Sequence, residues 1–155
     1  MSKVAIDANL LLLLVVGEAN RGWIARHKGL RAYDLEAFEL LVEIIDDVSR
    51  VIVTPNVLTE VSNLACQGIT EPGCSRIRAV LAEYVRAAEE RYVQSRDAVA
   101  QNDYQRLGLT DAVLLLSSEP NVTLWTDDLD LYLAAARANL PVENFTHLRR
   151  SRGLL

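Results

Sequence analysis

Short apolar segments alternate with helical patterns along this chain, and the alternation limits the folds it can adopt. Lys3 to Ile6 and Val51 to Val53 are aliphatic or β-branched runs of strand length. Asn121 to Trp125 and Val142 to Phe145 predict two further strands in the second half of the chain. Because helical patterns separate the strands, we expect a parallel sheet joined by right-handed crossovers.

Helical periodicity is clearest over residues 34–49, where Asp34 is a suitable N-cap and apolar side chains recur on one face. Thr54 and Pro55 predict another helix start, because proline suits the first helical position. Tyr92 to Gln94 is either a third strand or a continued helix. Further helices are predicted after Asp7 as far as about Gly17, at 75–90, at 98–107 with Gly108 at its end, after the N-cap Thr110, and at 128–138.

Length, charge and cysteine content exclude several classes of protein. The 155 residues are about the length of one domain. A formal net charge of −5 argues against coating nucleic acid through a general positive field. Cys66 and Cys74 are too few for a disulfide framework, and Cys66 is expected to be buried packing. No secretory signal or membrane-spanning run is apparent, so a cytoplasmic protein without membrane contact is expected.

Five acidic residues stand where such a sheet would gather them. Asp7 follows the first strand, and Asp111 falls in the first turn of a helix. Asp128 and Asp130 follow a later strand, and Glu60 can tilt back along its helix toward the strand ends. Ligands of open α/β sheets bind beyond the carboxyl ends of the strands. Converging carboxylates repel one another unless they bind a hard divalent cation, so the pattern predicts a site for Mg²⁺ or Mn²⁺.

Each acid alone also has an ordinary structural explanation. Asp7 can end a strand, and Asp111 and Asp128 suit helix N-termini. Glu60 and Asp130 can be solvated helical residues. The joint pattern favours the metal site over these separate explanations.

Other α/β chemistries lack their residues in this chain. It contains no nucleophile elbow, Walker A loop or dinucleotide fingerprint. A haloacid dehalogenase-type phosphatase would need an aspartate where Asn9 stands. A response-regulator receiver would need a late lysine, but the only lysines are Lys3 and Lys28. Among the reaction classes considered for an α/β protein, metal-assisted phosphodiester chemistry remains.

Four segments in order resemble the signature segments of PIN-domain nucleases, which include the VapC-type toxin ribonucleases. They are "IDANLLL", "TPNVLTEV", "GLTDAVLL" and "LWTDDLDLY", and the resemblance covers nearly the whole chain. It implies a three-layer α/β/α sandwich with a central parallel sheet of about four to five strands. It also implies that the catalytic, metal-binding acids are Asp7, Glu60, Asp111 and Asp128, with Asp130 as an additional metal-binding acid and Asn9 and Thr126 as polar supporting residues.

The resemblance further implies a divalent-metal-dependent endoribonuclease that leaves a 5′-phosphate and a 3′-hydroxyl. Such a protein can be the toxin of a toxin–antitoxin pair, so an antitoxin protein and a homodimer are expected partners. The alternative is a catalytically idle PIN-like module that binds RNA or serves as a protein scaffold. The chain departs from compact VapC-type members by a longer stretch at 18–48 and by the extra acid Asp127. We therefore expect a single PIN-like domain over 1–155 with a helical elaboration at about 18–49.

Residues 19–33 contain no Asp or Glu in an otherwise acidic chain, and are predicted to contact the RNA substrate. Trp23 or Tyr33 could stack on an unpaired base. The alternative is a solvated surface whose aromatic side chains belong to the core. The predicted substrate-binding residues are Arg21, Arg26, Lys28 and Arg31.

Overall fold

The computed structural model describes residues 2–155, and within them five short strands form one sheet. All neighbouring strands pair in parallel. The strands are β1 (Lys3–Ile6), β2 (Val51–Val53), β3 (Glu89–Glu90), β4 (Val122–Thr126) and β5 (Val142–Asn144), in the spatial order β3-β2-β1-β4-β5. The predicted parallel α/β class is confirmed.

Nine α-helices in the described part of the chain follow or connect these strands. They are α1 (Ala8–Ala19), α2 (Leu35–Ile44), α3 (Pro55–Leu64), α4 (Gly73–Ala87), α5 (Ser95–Val99), α6 (Tyr104–Leu107), α7 (Leu109–Ser117), α8 (Leu129–Arg137) and α9 (Phe145–Ser151). Helix α1 contacts α2, α3 and α4, whereas α7 contacts α5, α6 and α8. Right-handed crossovers place these two groups on opposite faces of the sheet, giving a three-layer α/β/α sandwich.

Helix α1 lies at the centre of the core. Its residues Leu10 to Val16 are almost completely buried, so no side of this stretch faces water. A helix that is apolar all round needs neighbours on all sides, and α2, α3, α4 and the sheet provide them. Gly17 lets α2 pack closely against α1, because a Cβ at this position would lie 2.2 Å from the Phe38 ring.

Helix α2 is shorter than the predicted helix at 34–49. Asp34 does cap its N-terminus, accepting from the Ala37 amide at 2.8 Å, but the helix ends at Ile44. Asp47 then accepts hydrogen bonds from both the amide and the hydroxyl of Ser49, which start a 3₁₀ turn. Local bonding of this kind competes with helix continuation.

The third strand is β3, so the prediction of a strand at 92–94 was wrong. Glu89 is held there by Lys3 and Arg91, which lie within salt-bridge distance. The predicted helix at 98–107 is divided into α5 and α6. Thr110 lies inside α7 rather than capping it, and Gly108, with φ of +79°, precedes the helix instead.

Cys66 and Cys74 are joined by a disulfide, which the cysteine count did not predict. The turn between α3 and α4 brings their Cα atoms to 5.1 Å. His27 lies nearby as a fully bonded core residue: its Nδ1 accepts from the Gly29 amide and its Nε2 contacts the Ala65 carbonyl at 3.0 Å. Among residues 2–155, no helix is long and apolar enough to cross a membrane.

Candidate active site at the carboxyl edge of the sheet

Strands β1 and β4 lie side by side, but the chain leaves them in opposite directions. From β1 it passes through α1 and α2 to β2 on one side, and from β4 through α8 to β5 on the other. This reversal opens a crevice at the carboxyl ends of the two strands, where open α/β sheets bind ligands. Asp7 and residues 126–128 stand at this point.

Asp7 is held by three hydrogen-bond donors. Its Oδ1 accepts from the Leu10 amide at 3.0 Å, which makes it the N-cap of α1. Its Oδ2 accepts from the Thr126 hydroxyl at 2.5 Å and from the Asp127 amide at 3.1 Å. The side chain is buried and its position is fixed from both strands.

Asp128 is tied to the same group through Thr126. The Thr126 hydroxyl, which donates to Asp7, accepts from the Asp128 amide at 2.9 Å. Asp128 in turn caps α8 by accepting from the Leu131 amide at 2.9 Å. Thr126 is fully buried, so its hydroxyl connects the two acids within the protein.

Electrostatics links these acids to the two that come from α3 and α7. Burial raises the pKa of Asp7 to about 6, although its hydrogen bonds act in the opposite direction. Burial, and then the charges of Asp7, Asp128 and Glu60, raise the pKa of Asp111 to about 7. Helices α3 and α7 contact each other, which brings Glu60 and Asp111 to the same edge. Four of the predicted acids therefore share one electrostatic environment.

The donor set has the chemistry of a Mg²⁺ or Mn²⁺ site, because it consists of carboxylate oxygens whose mutual repulsion a cation would relieve. Among the described residues, however, no three Asp, Glu, His or Cys side chains lie close enough together to hold an ion. Holding one ion would require the carboxylates to move closer together.

The other predicted site residues differ in position. Thr126 is at the centre of the cluster, bonded to Asp7. Asn9 is exposed near the start of α1, and Asp130 is exposed in the first turn of α8. Asp130 is not among the charges that raise the pKa of Asp111.

Asp127, which the sequence marked only as an extra acid, bonds to two distant parts of the chain. Its Oδ2 accepts from the Tyr33 hydroxyl at 2.6 Å. Its Oδ1 accepts from the Thr146 amide at 2.6 Å and from the Thr146 hydroxyl at 2.7 Å. Because the backbone amide of Asp127 donates to Asp7, these contacts help to fix the position of Asp7 although Asp127 is not one of the four acids. No sequence signal identified Tyr33 or Thr146 as its partners.

The basic segment at 19–33 packs partly against the protein. Arg21 forms an ion pair with Glu39 at 3.2 Å and lies over the Phe38 ring. Tyr33 is half-buried, with the Phe145 ring and the Arg149 guanidinium beside its own ring. These contacts favour a role in the core for Tyr33.

Trp23 is also half-buried, and a Cβ at Gly73 would lie 3.2 Å from its ring. Arg26, Lys28 and Arg31 are exposed. Arg26 lines a cleft with Trp23 and residues 68–73.

A separate, polar cleft of about 430 Å³ opens beside the acids. Glu60 and Thr110, the neighbour of Asp111, belong to its walls. The other walls come from one face of α3, through Pro55, Asn56, Thr59 and Asn63. Among the four acids, Glu60 is the one that this cleft exposes to a ligand.

Comparison with protein-family models, curated proteins and solved structures found no match to this chain. The resemblance to PIN-domain nucleases therefore stays a prediction from the four sequence segments.

Proposed function

We propose that this protein is a Mg²⁺- or Mn²⁺-dependent endoribonuclease that hydrolyses RNA phosphodiesters. The observation that carries the proposal is the raised pKa of Asp111, which reflects burial together with the charges of Asp7, Asp128 and Glu60. A group of repelling carboxylates in a crevice is unfavourable for stability alone, so a functional reason for it is expected. The four sequence segments give the reaction class.

In this proposal, Asp7, Glu60, Asp111 and Asp128 hold the cation. When bound, the cation would supply an activated water and neutralise charge that develops on the phosphate. The three donors to Asp7 keep its carboxylate in one orientation, so it acts as a fixed ligand. Without a cation the pKa of Asp111 is raised to about 7, so Asp111 must lose its proton to act as a ligand, and cation binding should release a proton near neutral pH.

The polar cleft beside Glu60 supports a polar, extended substrate. Its walls carry amide and hydroxyl groups from Asn56, Thr59, Asn63 and Thr110. Such groups can bind phosphate and sugar oxygens without selecting a base.

The second candidate is the idle PIN-like module that binds RNA or serves as a scaffold. One observation favours it: no three acidic, His or Cys side chains within residues 2–155 stand close enough together to hold an ion. Cation binding measured by calorimetry separates the two candidates, because an idle module needs no cation.

The test is digestion of an unpaired RNA with Mg²⁺, with Mn²⁺ and with a chelator. We expect cleavage only with a cation, and none by Asp111→Asn. Asp97→Asn is the matched control, since Asp97 is an exposed acid in the first turn of another helix, α5. Cleavage by Asp111→Asn at the rate of the control, or cleavage in chelator, would overturn the proposal.

The resemblance extends the proposal to a toxin neutralised by an antitoxin protein. Its test is purification of the chain after co-expression with the small reading frames that neighbour its own. A stoichiometric partner that suppresses RNA cleavage is the expected result. A lack of any partner that suppresses cleavage would leave a ribonuclease outside such a pair.

A further inference from the structure

The polar cleft beside the acidic cluster continues into a second cleft between α3 and α4. Thr59 and Asn63 line both clefts, so the two form one groove that crosses α3. The second cleft, of about 540 Å³, is bounded on the far side by α4. A chain that enters at the acids can therefore extend over α3 toward α4.

The second cleft combines an apolar floor with two cations. Leu58, Leu81 and Val85 supply apolar surface, and Val85 is 40% exposed. Arg78 and Arg86 belong to the same wall and are both exposed. They are eight positions apart on α4, which separates them by about 12 Å along the helix axis.

The charge of its walls indicates which ligand the second cleft can bind. The chain has a net charge of −5, yet no acidic residue lines this cleft. Neither Arg78 nor Arg86 forms an ion pair within the described residues, although Glu71 is near enough to feel the charge of Arg78. Two unpaired guanidinium groups around an apolar floor are complementary to phosphates that flank a base.

We infer that the groove between α3 and α4 binds the part of a single-stranded RNA that flanks the cleaved bond, with Arg78 and Arg86 contacting its phosphates. The identity of the ligand as RNA rests on the proposed ribonuclease function. The apolar floor holds a base by contact with aliphatic side chains. Since no aromatic ring lines the cleft, little preference among bases follows.

The test is the affinity of the whole protein for a labelled, unpaired RNA, measured by fluorescence anisotropy in chelator so that no cleavage occurs. Arg78→Ala/Arg86→Ala should weaken binding roughly tenfold and lower the salt slope by about 1.4, from two contacts of about 0.7 each. The matched control is Arg76→Ala/Arg96→Ala, which also removes two exposed positive charges, neither of which lines the groove. Arg78→Lys/Arg86→Lys, which keeps the charge, should recover most of the slope.

Three outcomes decide the inference. Selective loss in the double alanine variant supports it. Equal affinity and slope in that variant and in Arg76→Ala/Arg96→Ala overturn it, as does a lack of RNA binding by the unsubstituted protein. Either result leaves the apolar groove to a protein partner. RNA binding that depends on Arg78 and Arg86, without cleavage in Mg²⁺ or Mn²⁺, would reject the proposed activity while the groove assignment stands.

Discussion

Asp111 is a carboxyl group whose ionisation the folded protein disfavours more than that of Asp7. Burial and the neighbouring acids raise its pKa from 3.8 to about 7. The stability linked to its proton is therefore fully present below about pH 4 and is lost as the pH rises through about 7. We expect Asp111→Asn to match the unsubstituted protein near pH 4 in chelator, and to be more stable by about 1–3 kcal/mol near pH 8.

Denaturant unfolding of both proteins across this pH range measures the difference. The exposed variant Asp97→Asn controls for the loss of one negative charge. A stability difference that is the same at both ends of the range would show that folding does not raise the pKa of Asp111.

Substituting Asp7 has a cost that substituting Asp111 does not, because Asp7 is held by hydrogen bonds. Its carboxylate accepts from Leu10, Thr126 and Asp127, whereas an amide has only one acceptor oxygen. In Asp7→Asn the amide NH₂ would face at least one of these donors, at a cost of about 1–3 kcal/mol. Urea melts near pH 8, where the Asp7 carboxyl is ionised, should show Asp7→Asn below Asp111→Asn in stability. Equal stabilities there would mean that the bonds to Asp7 contribute little.

At the level of elements, Asp127 joins the end of β4 to the segment before α2 and to the start of α9. Tyr33 contributes one hydrogen bond and Thr146 contributes two. We expect Tyr33→Phe to cost about 1 kcal/mol and Asp127→Ala more, because the latter leaves the Thr146 donors unpaired. Asp127→Ala should also reduce RNA cleavage, because the side chain of Asp127 fixes the position of the backbone amide that donates to Asp7. Unfolding measurements together with single-turnover cleavage test both effects, and full activity in Asp127→Ala would limit this residue to stability.

The basic segment at 19–33 and the groove between α3 and α4 are two candidate RNA-binding surfaces. The salt slope of RNA binding shows how much each contributes. Arg26→Ala/Lys28→Ala/Arg31→Ala removes three exposed charges. If these cations contact phosphates, the salt slope of RNA binding falls by up to about 2. An unchanged slope would assign the segment to structure or to a protein partner.

At the scale of the whole molecule, a cation that binds only the folded state must stabilise it by mass action. We expect thermal melts in millimolar Mn²⁺ or Mg²⁺ to lie above melts in chelator. The increase should grow from about pH 5 to about pH 8, because the carboxyls of Asp7 and Asp111 must lose their protons to bind, with pKa values of about 6 and 7. Identical melts at both pH values, with no heat of binding, would reject the metal site.

The proposed homodimer depends on apolar surface outside the core. Helix α2 buries Ala37, Phe38, Leu40 and Leu41 in the core, and its exposed large apolar side chains are Leu35 and Val42, at 43% and 37%. This face is therefore largely occupied within the chain. Light scattering over a wide concentration range tests self-association directly. A monomer mass that does not change with concentration would exclude the dimer.

Local sequence determined most of the elements and their order. Alternating apolar runs and helical patterns predicted β1, β2, β4 and β5, and the caps Asp34 and Thr54 were identified because each acts within three residues of itself. The parallel sheet followed from the alternation. The four acids were predicted to lie near one another because the carboxyl ends of parallel strands meet at one edge.

Tertiary structure alone decided the interactions that the local sequence pattern does not specify. The position of β3 depends on Lys3 and Arg91 around Glu89 rather than on a local apolar run. The Tyr33 and Asp127 bond, the disulfide, and the groove shared by α3 and α4 join residues whose separation in sequence carries no periodic signal. The pKa of Asp111 likewise depends on burial and on charges brought from three other elements, so only the folded chain could establish it.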